Sequence, residues 1–98
     1  MHVINRVTDG ATVTGTTALK AGTVLEKDGA TNYKVLAVAG NADAILMQDV
    51  TPTTTGVVTV ALFGGVVELA EQVIVPSGIT VAEIKPVLRA KGIYIKGA

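Results

Sequence analysis

Few residues in this chain could do chemistry. It has one histidine, His2, one serine, Ser77, and no cysteine. A catalytic imidazole needs a partner held within hydrogen-bond reach, and the sequence offers His2 neither a second histidine nor a thiol. Ser77 sits in Pro76-Ser77-Gly78, which is turn chemistry and not the G-x-S-x-G of a nucleophile elbow. The eight carboxylates are Asp9, Glu26, Asp28, Asp43, Asp49, Glu68, Glu71 and Glu83. They are scattered along the chain, and the reading for such positions is solvated surface. Glu68 and Glu71 lie close in sequence, but paired acid and base work needs a shared cleft. Asn41-Ala42-Asp43 opens like a calcium loop, yet Pro52 stands where the bidentate glutamate would be required. Gly64-Gly65 lacks the lysine and following helix of a phosphate loop. The eight basic residues are dispersed and balance the acids to a net charge of zero. With three aromatic rings in all, Tyr33, Phe63 and Tyr94, no stacked, basic nucleic-acid groove is expected. No catalytic, cofactor-binding or metal-ligating residue is assigned, and the chain does not read as an enzyme.

The elements that would carry any site are mostly strands. The 98 residues fit one domain, 49% hydrophobic and only 16% charged, so the core must be built from Val, Leu, Ile and Ala. A small domain this apolar and this sparsely charged is expected to hide part of its surface against copies of itself or a partner. Residues 56–69, GVVTVALFGGVVEL, read as two short strands apolar on both faces, with Gly64-Gly65 as a hairpin turn or bulge. Residues 1–17 hold two alternating pieces around Asp9-Gly10. They read as a hairpin, or as an arm that becomes a strand on meeting a partner. Strands are expected at residues 23–26 and 32–39, paired across the turn between them, and again at residues 44–50. Residues 51–56, a Thr-rich segment with Pro52, form a polar connector.

A single helix follows residue 79. Thr80 and Glu83 have capping-box spacing, and Val81, Ile84, Val87 and Leu88 make one apolar face. Arg89 and Lys91 suit the last turn, and Gly92 suits the stop. Pro86 predicts a kink or a restart within this helix. Ile93-Tyr94-Ile95 closes as a short strand. No apolar run approaches the roughly 20 residues of a membrane helix, and no secretory leader is visible. The expected class is α+β but mostly β, a small sandwich- or barrel-like domain of short strands with one C-terminal helix.

Four segments taken in order resemble a known family: AGTVLEKDG at residues 21–29, ADAILMQDV at 42–50, VTVALFGGVVEL at 58–69 and ITVAEIKPVLRAKGIYI at 79–95. Their order and spacing are similar to those of the head decoration, or capsid-stabilising, proteins of tailed bacteriophages, of the lambda head protein D type. The resemblance covers residues 19–96. It implies a structural virion protein made in the bacterial host cytoplasm, a homotrimer on the outer surface of the expanded head. There it would bind the major capsid protein at three-fold and quasi-three-fold positions and brace the shell, with no membrane or nucleic-acid partner.

In that family the N-terminal arm meets the capsid protein. Carried over, residues 1–18 are the candidate capsid-contacting arm or hairpin and residues 19–98 the β-rich core. Val3, Ile4 and Val7 would supply apolar and backbone contacts for strand addition. Deleting residues 1–17 is then expected to abolish head binding and leave the oligomer folded. The alternatives are a small tail, baseplate or head-fibre-base module, or a host ligand-binding carrier domain, which would need a concave apolar pocket with convergent polar groups.

Overall fold

The computed structural model describes residues 1–97. Its strands are β1 (Val3–Val13), β2 (Val24–Asp28), β3 (Asn32–Val35), β4 (Ala42–Leu46), β5 (Val57–Val67) and β6 (Ile93–Ile95), and the helix α1 (Val81–Ala90) precedes β6. Strands β1, β3, β2, β4 and β5 lie side by side in that order, and β5 pairs back onto β1 to close a five-stranded barrel. β1–β3 and β5–β6 are parallel, and the other pairings are antiparallel. The small, mostly β class with a helix near the C-terminus is the one read from the sequence.

Strand alternation sorts the apolar residues into two cores. Ala11, Val13, Leu25, Ala44, Leu46 and Ala61 form one buried cluster, with Tyr33 and Phe63 packed against it. All five barrel strands contribute to it, so this cluster fills the barrel. Its alanines suit an interior too narrow for many large side chains. Val24, Ile45 and Leu62, next to Leu25, Leu46 and Ala61, point the other way, into a second cluster with Ile84, Leu88, Ile93 and Ile95. Where Val24-Leu25, Ala44-Ile45-Leu46 and Ala61-Leu62 lie, the sheet is thus covered on both faces, which explains the short apolar runs there.

Two expectations about strands are corrected. Residues 56–69 do not form two strands: β5 is one strand of 11 residues. It has a neighbour on each edge, β1 along its length and β4 then β6 opposite, so a turn at Gly64-Gly65 would break pairings on both sides. The glycines instead serve bulges. Ile4 pairs with Val66 and Val7 with Gly64, so Asn5 and Arg6 together face Gly65. Asn5 takes a positive φ of 53° and Gly65 one of 121°. One step on, Thr8 pairs with Leu62, which leaves Phe63 as the extra residue on β5 and restores the register.

Residues 1–17 do not form a hairpin about Asp9-Gly10 either. β1 runs unbroken through them, with Asp9 opposite Ala61 and Gly10 opposite Val60. An Asp-Gly pair makes a hairpin only if its flanks pair with each other. Here β5 supplies a partner of equal length and far more apolar character.

The other elements follow the sequence more closely. β2 and β3 form the expected hairpin. β3 ends at Val35 because the Glu26 carboxylate takes the amides of Ala37 and Val38, at 2.7 and 3.2 Å, out of any ladder. The capping box forms: Thr80 Oγ1 accepts from the Glu83 amide and Glu83 Oε1 accepts from the Thr80 amide. Ile84 and Leu88 are buried. The helix continues through Pro86. The carbonyl its ring leaves unbonded belongs to Ala82, which is exposed, so water can serve it. Lys91 caps the end and Gly92 follows at φ 94°.

Candidate docking edge

β1 has two edges with different fates. One pairs with β5 from Val3 to Val13. The other meets β3 only at Thr12 and Val13. From Val3 to Gly10 this outer edge has no strand partner among the described residues. A row of unpaired amides and carbonyls of this kind is a template for a strand from another chain.

The three residues proposed from sequence sit on this strand in different environments. Val3 is half-buried and packs against the helix-side core, with Val67 and Ile95 as its cross-strand neighbours. It lies against this chain's own core. Ile4 and Val7 are 45% and 59% exposed. Ile4 lies opposite Val66, and Val66 opposite Tyr94, so the three share one face of the sheet. The Arg89 guanidinium stacks over the Tyr94 ring at 4.8 Å. The outer edge is therefore flanked by an apolar strip that the fold leaves partly uncovered. The sequence marked Ile4 and Val7 but not Val66 and Tyr94 beside them, because a strand's neighbours are not a local property.

Residues 1–17 also do more than the expected arm. Ala11 and Val13 are inside the barrel and β1 closes it. The expected outcome of deleting this segment changes accordingly: removal takes out part of the barrel wall, and the remainder would not stay folded.

The chemically able residues do not converge. His2 is exposed; its amide donates to Gln72 Oε1 at 3.0 Å and its carbonyl accepts from the Glu68 amide. Ser77 is exposed in its turn. The carboxylates hold structure, and here the sequence reading of a solvated set is partly corrected. Glu26 is buried at 5% exposure and spends itself on the Ala37 and Val38 amides, with Lys34 at 3.9 Å. Asp28 accepts from the buried Thr14 hydroxyl, Asp49 from the Ala21 amide, and Glu68 pairs with Lys96.

Asp43 makes an ion pair of 2.9 Å with Lys91, and its charge acts on the Tyr33 phenol. This ties β3, β4 and the end of α1 together beside Phe63, whose ring meets Tyr33 edge-on at 5.7 Å. Burial first, then the Asp43 charge, raises the Tyr33 phenol above its ordinary value. Among the described residues no three His, Cys, Asp or Glu side chains gather where a metal could be held, and no helix is long and apolar enough to cross a membrane.

An open groove of about 250 Å³ lies between Leu19, Val35, Ile74, Val75 and Pro76. Lys20 and Thr23 are its polar lining, and the Thr23 hydroxyl is already bonded to the Lys20 carbonyl. The groove has no convergent polar set of the kind that orients a small ligand. The sequence matches no protein-family model and no curated protein.

Proposed function

We propose that this protein is a structural virion component: it docks on the outer surface of an expanded phage head, as a homotrimer at three-fold and quasi-three-fold positions, and stabilises the shell through the major capsid protein. The observation that carries this reading is the open outer edge of β1 with Ile4 and Val7 exposed beside it. An extended capsid segment added there gains backbone hydrogen bonds from the edge and apolar contact from the strip. The pairing continues the line of β3, so the added strand extends an existing sheet. The segment resemblance in residues 19–96 supplies the phage context, and the edge supplies a means of attachment.

The test mixes purified protein with expanded, undecorated heads and measures co-sedimentation and head survival under chelation or heat. Wild type is expected to saturate the heads and protect them. Ile4→Asp and Val7→Asp place charges on the apolar strip at exposed sites. They are expected to reduce binding by tenfold or more, on the order of 1.4 kcal/mol, while the unfolding midpoint changes little. Full binding by both variants would refute the edge as the docking site. Failure of the wild type to bind heads, with capture by tail or baseplate assemblies instead, would move the protein to another part of the virion.

A further inference from the structure

The outer edge of β1 carries its own stopper. The Thr14 amide points to the β3 side, donating to the Tyr33 carbonyl at 2.8 Å. Strand alternation sends the amides of Thr12, Gly10 and Thr8 to that same side. At Thr12 the strand beside it is β3. Gly10 carries the first outward-facing amide beyond β3, and this amide donates to Asp9 Oδ1 at 2.8 Å. Asp9 and Gly10 are both exposed, so no packing forces the contact. Gly10 has no side chain of its own to shield this amide.

We infer that Asp9 is a gate on the docking edge: its carboxylate occupies the Gly10 amide and holds a negative charge where an incoming strand would bring a carbonyl, so that copies of this chain do not pair edge to edge. A carboxylate bound to an amide is stronger than a neutral hydrogen bond, and charges on open edges oppose strand pairing. An added strand must displace the carboxylate before it can pair with Gly10. At the other end of the edge the Asn5–Arg6 bulge interrupts the regular ladder. The gate therefore sits where pairing would otherwise run on smoothly from β3. This inference rests on the edge being the docking surface, but it is read out without a capsid.

The experiment is light scattering across a dilution series for wild type, Asp9→Ala and Asp9→Asn, each checked for an unchanged circular dichroism spectrum. Asp9→Ala is expected to form assemblies beyond the wild-type oligomer at concentrations roughly ten- to a hundredfold lower, from the loss of one charge-assisted bond that competes with pairing. Asp9→Asn keeps an acceptor for the amide and is expected to shift less.

Adding Thr8→Pro to Asp9→Ala removes the neighbouring outward amide without touching the β5 pairing, and is expected to restore wild-type behaviour. Unchanged association of Asp9→Ala would overturn the gate, as would association that survives Thr8→Pro. An equal shift in Asp9→Asn would overturn the capping bond as its basis. Loss of head binding by the wild type would count against the docking reading alone.

Discussion

Gly65 is the residue on which the β1–β5 bulge depends, and Gly65→Ala should cost well over the same substitution at an open turn glycine such as Gly29. Its φ of 121° lies where L-residues are rarely found, at a cost of about 1–3 kcal/mol. A Cβ added there would also lie 2.8 Å from the Ile4 carbonyl oxygen, 3.0 Å from the Asn5 oxygen and 3.0 Å from the Arg6 Cα. These are backbone atoms held by the ladder, so relief requires the bulge itself to move.

Adding the conformational cost to that steric strain, and subtracting the half kcal/mol or so that alanine gains by restricting the unfolded chain, gives a loss of about 3 kcal/mol. That is a large share of the roughly 5–15 kcal/mol expected of a domain of this size. Gly29 provides the control. Its φ is 77° and nothing lies within 4 Å of an added Cβ, so Gly29→Ala carries the conformational cost alone and should lose about 1 kcal/mol. Urea unfolding followed by circular dichroism measures both. Equal losses in the two variants would refute the argument from the bulge, and so would a Gly65→Ala loss below about 1 kcal/mol.

Three further outcomes follow from particular contacts. Glu26→Ala leaves the Ala37 and Val38 amides without their acceptor in a part-buried site, and should cost about 2–3 kcal/mol by urea unfolding, with Glu26→Gln intermediate. Thr80→Ala removes the acceptor for the Glu83 amide and should lower stability by about 1 kcal/mol; no measurable loss would show that the cap does not limit this helix. In a Tyr94→Phe background the remaining phenol, Tyr33, should titrate above the ordinary value of 10.0 in the folded state, followed by ultraviolet absorbance. Since the folded pKa is raised, the associated stability is fully present below the unfolded value and is lost as pH rises from there through the folded one. Tyr33→Phe should flatten that part of the alkaline unfolding curve.

Much of the fold was legible because it is local. The capping box at Thr80 and Glu83, the i, i+4 burial of Ile84 and Leu88, the stop at Gly92 and the β2–β3 hairpin are all decided by residues within a few positions of one another. The sequence also bounded the chemistry: with one histidine, one serine and no cysteine, it determined which reactive groups the fold had to work with. Local signals failed where a distant partner was decisive. Asp9-Gly10 has the composition of a turn, and Gly64-Gly65 too. Both lie inside strands of 11 residues, because β1 and β5 gain more by pairing with each other than either gains by folding back on itself.

The open outer edge of β1 belongs to the same category. Val3, Ile4 and Val7 are alike in sequence, three aliphatic residues in a short alternating run. Only the tertiary structure turns Val3 into the core and leaves Ile4 and Val7 in solvent. Burial depends on which face of a sheet is covered, and an open edge depends on which strand fails to find a neighbour. Residue type alone encodes neither property, so the sequence supplied the apolar strand and the assembled barrel decided what it presents.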